Sequence, residues 1–297
     1  MKPVVLVTAI GTVTATAIVT ELKKTNEYYL IGADINPENQ IATSLDVDEY
    51  HVFPYASNDD YLDFVLDFCK QHKVDYYYAV LDIEVVKISR ARDKFAEIGT
   101  KLCMANYEYC STCHFKNSFN EWIRNNVPEV YIKTYQSYDE IKDFPVFIKP
   151  VEGVASSGCR PVQTMEALKE SVSLEAFNKK IIVQRKELLR NGNGCGIAVE
   201  IVKYPQLEEI CNTLMEKLDL NGVSNAEFFC VEKDGEPAKF RIIEINPRFS
   251  AGSRYTCMAG INTVLNAKRI ADGEKCEFGT VEAGQHFAER YEAYRMN

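Results

Sequence analysis

Two hydrophobic periods alternate along the first third of this chain. Residues 3 to 9 form a near-continuous apolar run of strand length, broken by Gly11. Ala15, Ile18, Val19 and Leu22 then recur at helical spacing as far as Lys24. "YYLIGADINP" predicts a second strand that ends at Asp34 and is closed by Pro37. "SNDD" (57 to 60) offers a helix start, and Leu62, Val65, Leu66 and Cys69 mark the apolar face that follows. "VDYYYAV" predicts another strand, a helical stretch runs from about Glu84 to Ile98, and "KLCMA" returns to strand. Strands alternating with helices imply an α/β fold, a doubly wound parallel-sheet lobe over residues 1–108.

The texture then changes. Residues 117 to 125 and 165 to 173 carry helical periodicity, while 144 to 149 and "KIIVQ" (180 to 184) read as strands. After a Gly- and Asn-rich turn at 191 to 196, "LEEICNTLMEKLDL" is an amphipathic helix. Two strands, "VSNAEFFCVE" and "KFRIIEIN", then flank "KDGEPA". The second half is therefore predicted to be α+β with antiparallel strands.

Composition narrows the partners. A chain of 297 residues exceeds what one core usually fills, so two lobes or more are expected. A net charge of −9 without any basic block argues against a nucleic-acid groove. Ten scattered cysteines in so long a chain fit reduced thiols better than a disulfide scaffold. The start of the chain imitates a signal peptide, yet Gly11 and five threonines interrupt the run. A strand, turn and helix are expected there instead, in a cytoplasmic protein that engages neither membrane nor nucleic acid. The apolar stretches of the first lobe are compatible with a homodimer.

Candidate chemistry concentrates in two segments. If the last two strands pair about "DGEP", Glu227 and Glu244 lie directly opposite each other, and strand period puts Asn246 on the face of Glu244. Facing carboxylates repel and weaken a sheet unless a cation sits between them. An oxygen-only set of Glu, Glu and Asn suits a hard divalent ion, although spacing alone leaves open a half-exposed hairpin whose acids face water. The second segment is "FPVFIKPVEGVASSGCR", residues 144 to 160, where a strand delivers Lys149 into a loop of small residues. A lysine beside exposed backbone N–H groups is one way to hold polyphosphate, and a plain exposed loop is the other reading. Together the two segments point to a nucleotide–magnesium site.

These residues resemble the ATP-grasp superfamily, particularly the large subunit of carbamoyl phosphate synthase. "VFIKPVEGVASSGC" is similar to its strand, Lys-Pro and flexible small-residue loop, and "IIEINPRFSAG" to its acid-x-Asn-Pro-Arg motif. The resemblance implies a pre-ATP-grasp Rossmann-like domain at 1–108, an ATP-grasp N-terminal subdomain at 109–184 and a C-terminal subdomain at 185–297. Carried over residue by residue, Lys116, Lys149, Ser156, Ser157, Gly158 and Gln184 would bind ATP. Glu227, Glu244 and Asn246 would hold Mg2+, with Mn2+ as a substitute. Arg248 would face the transferring phosphoryl group, and Arg185 and Arg190 are further phosphate-site candidates. The implied activity is an ATP-dependent ligase that turns a small carboxylate into an acyl phosphate for attack by an amine. A catalytically inactive ATP-binding regulatory protein is the alternative.

One departure stands out: "IIVQ" runs directly into "RKELLRNGNGCG", without the Gly-x-Glu segment and extra strand of the family. Two other signals are weaker. "CSTCH" (110 to 114) matches a haem-attachment pattern, but incidental cysteines are the expected reading. Gly11 and Asp34 sketch a dinucleotide site, yet "AIGTVTATA" lacks its second and third glycines. The helix N-terminus with Thr12 and Thr14 could instead face a substrate carboxylate.

Overall fold

A computed structural model of the chain describes residues 1–151, 158–177, 179–185, 198–233, 235–290 and 292–296. Its first lobe is the doubly wound unit expected from the sequence. The elements run β1 (Val4–Thr8), α1 (Val13–Thr25), β2 (Tyr29–Asp34), β3 (Glu49–Val52), α2 (Tyr61–His72), β4 (Tyr76–Tyr78), α3 (Asp82–Arg90), α4 (Arg92–Glu97) and β5 (Lys101–Leu102). The five strands are parallel in the order β3-β2-β1-β4-β5. The order in which the chain adds strands therefore reverses between β1 and β4, where doubly wound folds open a crevice at the strand C-termini. The apolar start is β1, with Leu6 and Val7 wholly buried, and α1 is capped by Thr12, whose Oγ1 accepts from Ala15 N at 3.2 Å.

Two departures from the periodicity have local causes. The stretch expected as one helix breaks at Ala91, where Arg92 turns inward and donates to the carbonyls of Leu102, Met104 and Ala105. Strand β3, "EYHV", lies at the sheet edge and is half-exposed, so no apolar run announces it.

The second half begins with α5 (Tyr107–His114) and α6 (Lys116–Asn126). Strands β6 (Thr134–Tyr135), β7 (Val146–Pro150) and β8 (Arg160–Val162), helix α7 (Met165–Ser171) and β9 (Ile181–Arg185) follow. The strands form an antiparallel sheet in the order β6-β9-β7-β8, over a core of Val146, Ile148, Leu168 and Val183. Next come β10 (Ala198–Glu200), α8 (Pro205–Lys217), the hairpin of β11 (Asn225–Lys233) and β12 (Glu236–Asn246), α9 (Ser253–Met258), α10 (Thr263–Ala271) and β13 (His286–Ala288), which pairs with β10. The hairpin is docked, not free. Ile242 and Ile245 of β12 enter the same buried cluster as Leu6, Tyr77 and Tyr109. Helix α10 returns to the first lobe, burying Val264 and Ala267 against Val5, Ile18 and Leu22. Among the described residues, no helix is long and apolar enough to cross a membrane.

Candidate active site

The hairpin places the two acids as the spacing predicts: Glu227 pairs with Glu244, and Asn225 with Asn246. Directly opposed residues share a face, and strand period keeps i and i+2 together. Four oxygen-bearing side chains therefore line one patch of the ladder. Asn225 Nδ2 donates to Glu227 Oε1 at 3.1 Å, and Asn246 Nδ2 to Glu244 Oε1 at 3.3 Å. Each amide thus turns its nitrogen to a carboxylate, which leaves both acids half-buried but not exposed. Asn225 is not among the residues that the motifs single out, although it stands two residues before Glu227 and so shares its face.

The register is less simple than a single centre implies. The innermost pair is Lys233 with Glu236, so six steps separate it from Glu227 and eight from Glu244. Two irregularities, one next to Glu227 and one between Val231 and Lys233, absorb the difference. At the first, Phe228 pairs with Ile242 while Glu227 pairs with Glu244, so Ile243 is an extra residue. This bulge resets the alternation, so that Ile242 and Ile245, three positions apart, are both buried at 4% and 1% exposure. It also frees the Ile243 carbonyl, which accepts from Lys149 Nζ at 3.4 Å.

That contact joins the two segments singled out in the sequence. Lys149 is the penultimate residue of β7 and is 6% exposed. Burial lowers its pKa, Glu244 opposes that, and repulsion from Lys116 adds to the lowering, which leaves the group at about 8. Lys116, the first residue of α6, therefore lies within electrostatic reach of Lys149, as does Cys159. Gly158 turns the chain back toward the strand end with φ +74°, and a Cβ there would stand 2.9 Å from Pro150 Cγ. Ser156, Ser157 and Arg190 lie outside the described residues, as does the "KELLRNGNGCG" departure, so their placement is not part of this geometry. Gln184 sits in β9 with its side chain turned into the core, where Nε2 donates to Asn120 Oδ1 and Thr134 Oγ1, both at 3.1 Å. Those bonds give the side chain a structural job; a nucleotide contact at this position would have to use another atom.

Arg248 follows the hairpin through a tight turn, its N–H bonded to Asn246 O at 2.8 Å. Its guanidinium makes a fork with Asp82, Nε to Oδ1 at 2.8 Å and Nη2 to Oδ2 at 2.9 Å. Nη2 also reaches Asn246 Oδ1 at 3.4 Å. Asp82 opens α3 just past the end of β4, beside the point where strand order reverses. Nothing local in the sequence marks Asp82, because its partner is 166 residues away. The weaker sequence signals find structural uses. Asp34 accepts from Gly11 N at 2.9 Å and from Asn36 Nδ2 at 2.9 Å, which ties its carboxylate to the turn after β1. Thr12 is occupied as a helix cap. Cys110 and Cys113 of "CSTCH" are buried on α5, and burial pushes their thiols up to about 11 and about 12.

The oxygen-lined patch fits Mg2+ by donor chemistry. Carboxylate and amide oxygens are hard ligands, and two carboxylates directly opposed on a ladder favour a cation between them.

Comparison with known proteins agrees with this architecture. The family described as PylC-like, N-terminal domain, matches residues 5–103, and the family described as ATP-grasp in the biosynthetic pathway with Ter operon matches residues 168–292. No curated protein matches the sequence. Among solved structures, biotin carboxylase from Campylobacter jejuni, as a complex with β-γ-ATP, is 13% identical with a TM-score of 0.76, covering 96% of this chain and 74% of its own. The biotin carboxylase domain of the Hydrogenobacter thermophilus 2-oxoglutarate carboxylase, solved with MgADP and bicarbonate, is 14% identical with a TM-score of 0.73, covering 96% and 73%. An L-amino acid ligase from Bacillus licheniformis is 12% identical with a TM-score of 0.64, covering 91% and 74%. Residues 5–103 are thus similar to a PylC-like N-terminal domain and residues 168–292 to an ATP-grasp domain, and the solved neighbours share the fold of the chain.

Proposed function

We propose that the protein is an ATP-dependent ligase that joins a small carboxylic acid to an amine. One observation carries the reading: the lysine at the end of β7 is bonded to the same hairpin that presents Asn225, Glu227, Glu244 and Asn246 on one face. A cation suited to phosphate oxygens and a ligand set suited to a hard ion are thereby brought side by side. Glu227, Glu244 and Asn246 would hold Mg2+, which when bound offsets phosphate charge during transfer; Mn2+ would serve in its place.

The chain's own residues would then act as follows. Lys149 and Lys116 place positive charge against the phosphates. Gly158, with no side chain, would let the backbone at its own position come close to them. Arg248 stands between the hairpin and the crevice of the first lobe, where its guanidinium can meet charge developing on the γ-phosphoryl group. The substrate carboxylate oxygen attacks that phosphorus, the bond to the bridging oxygen breaks, and ADP leaves. The amine then attacks the acyl phosphate carbon, loses a proton, and expels phosphate.

The test is a screen for ADP and phosphate release with Mg2+, against amino acids and small carboxylic acids, each with and without an amine. Release that needs both an acid and an amine supports the reading. Mg2+-dependent ATP binding without ADP formation across the whole panel would replace it with a regulatory nucleotide-binding role.

A further inference from the structure

Two of the four histidines come together in the first lobe, apart from the residues discussed above. Glu49 and His51 are two residues apart on β3 and project from one face of this edge strand. His72 stands in the last turn of α2. Glu49 Oε1 lies 2.6 Å from His51 Nε2 and 3.5 Å from His72 Nδ1. The donor atoms of all three residues fall within 4.8 Å of one another.

Neighbours hold these groups in place. Phe68, itself buried, stacks on the His72 ring with centroids 4.0 Å apart and meets the His51 ring edge-on at 4.9 Å. The Tyr29 hydroxyl donates to Glu49 Oε2 at 3.3 Å, which leaves Oε1 directed at the imidazoles. A hydrogen-bonded outer partner of this kind is what orients a ligating carboxylate. A simple Glu–His pair needs one imidazole, yet here a second is brought to the same carboxylate oxygen. The three side chains are 33%, 32% and 26% exposed, so an ion and a completing water can reach them from solvent.

We propose that Glu49, His51 and His72 form a binding site for a divalent transition-metal ion of the Zn2+ class. Two imidazole nitrogens and one carboxylate oxygen suit Zn2+, with a fourth position open to water. The same set is a poor match for Mg2+, which prefers oxygen alone, so this site and the hairpin select different ions. The 2.6 Å contact is closer than two ligands each about 2 Å from one tetrahedral ion would stand, so Glu49 and His51 part slightly on loading. The bound ion would pin edge strand β3 to the end of α2.

The whole chain, stripped with a chelator, is titrated with Zn2+ by calorimetry beside His51→Gln, His72→Gln and Tyr29→Phe. One ion is expected to bind and to raise the melting temperature. Its affinity should fall by about tenfold or more in each histidine variant, and by roughly tenfold when the Tyr29 hydroxyl is removed. The metal-free variants should melt with the wild type, which separates a lost ligand from a lost fold. Co2+ in the untouched protein gives an independent readout, a spectrum without a thiolate charge-transfer band. Unchanged affinity in both histidine variants, a thiolate band, or no binding at micromolar metal would each overturn the proposal.

Discussion

Lys149 carries its charge where the protein resists it. With a pKa of about 8 in the fold against 10.5 in the open chain, the unfolded state binds the extra proton between those values. Stability should therefore rise as pH climbs from about 8 toward 10.5, and below that window the buried ammonium costs on the order of 3 kcal/mol. Lys149→Met is expected to raise the melting temperature at neutral pH while lowering ADP release a hundredfold or more, by order of magnitude. Glu244→Ala should lose activity to a similar extent without that gain. If Lys149→Met melted lower and kept near-normal turnover, the lysine would be a packing residue. If Lys149 meets nucleotide phosphates as proposed, they would favour its charged form, so ATP binding near pH 8.5 should take up a proton. Calorimetry in buffers of differing ionisation enthalpy measures that uptake directly, and a buffer-independent heat would contradict it.

At the level of elements, the alternation of strand and helix in the first lobe was legible because β1, β2 and β4 are buried from both sides and read as apolar runs. Strand β3 was not, because an edge strand needs only half its residues dry. The opposed acids were legible from spacing, yet the single-centre argument reached them by way of two irregularities it did not contain. A bulge has no composition of its own; Ile243 is as apolar as Ile242 and Ile245. Its part in the site is a carbonyl, which every residue owns. Ile243→Val should thus leave ATP binding within a few-fold of wild type, whereas deletion of Ile243 should abolish it. Binding measured by fluorescence or calorimetry distinguishes the two, and equal loss in both would mean that the side chain, not the extra length, matters.

Across the whole molecule, the second half does not merely follow the first; it closes it. Helix α10 covers the core of the first lobe, and Asp272, just past its end, accepts from Lys101 Nζ at 2.5 Å, Lys268 Nζ at 2.6 Å and Tyr76 Oη at 3.0 Å. Burial alone would push this carboxyl up, but the bonds from Lys101, Lys268 and Tyr76 outweigh it and hold the pKa below 3.8. Its contribution is complete above the ordinary carboxylate range and is lost as pH falls through the depressed value. Asp272→Asn should destabilise the fold by about 2 kcal/mol at pH 7 and flatten the acid limb of the stability curve. Thermal melts from pH 7 down to pH 3 check both, and an unchanged acid limb would assign that lability to other groups.

The fork between Arg248 and Asp82 has a further consequence for the ligase reading. One guanidinium answers to two masters: the hairpin that carries it and the crevice whose rim supplies its carboxylate partner. On that reading, an amine substrate arriving at the rim would compete for Asp82 and release the arginine toward the phosphates, so hydrolysis would stay low until the pocket is filled. Asp82→Asn should loosen this restraint and raise ATP consumption in the absence of acceptor relative to the coupled rate. A variant that slowed both rates in proportion would show that Asp82 only holds the arginine in position.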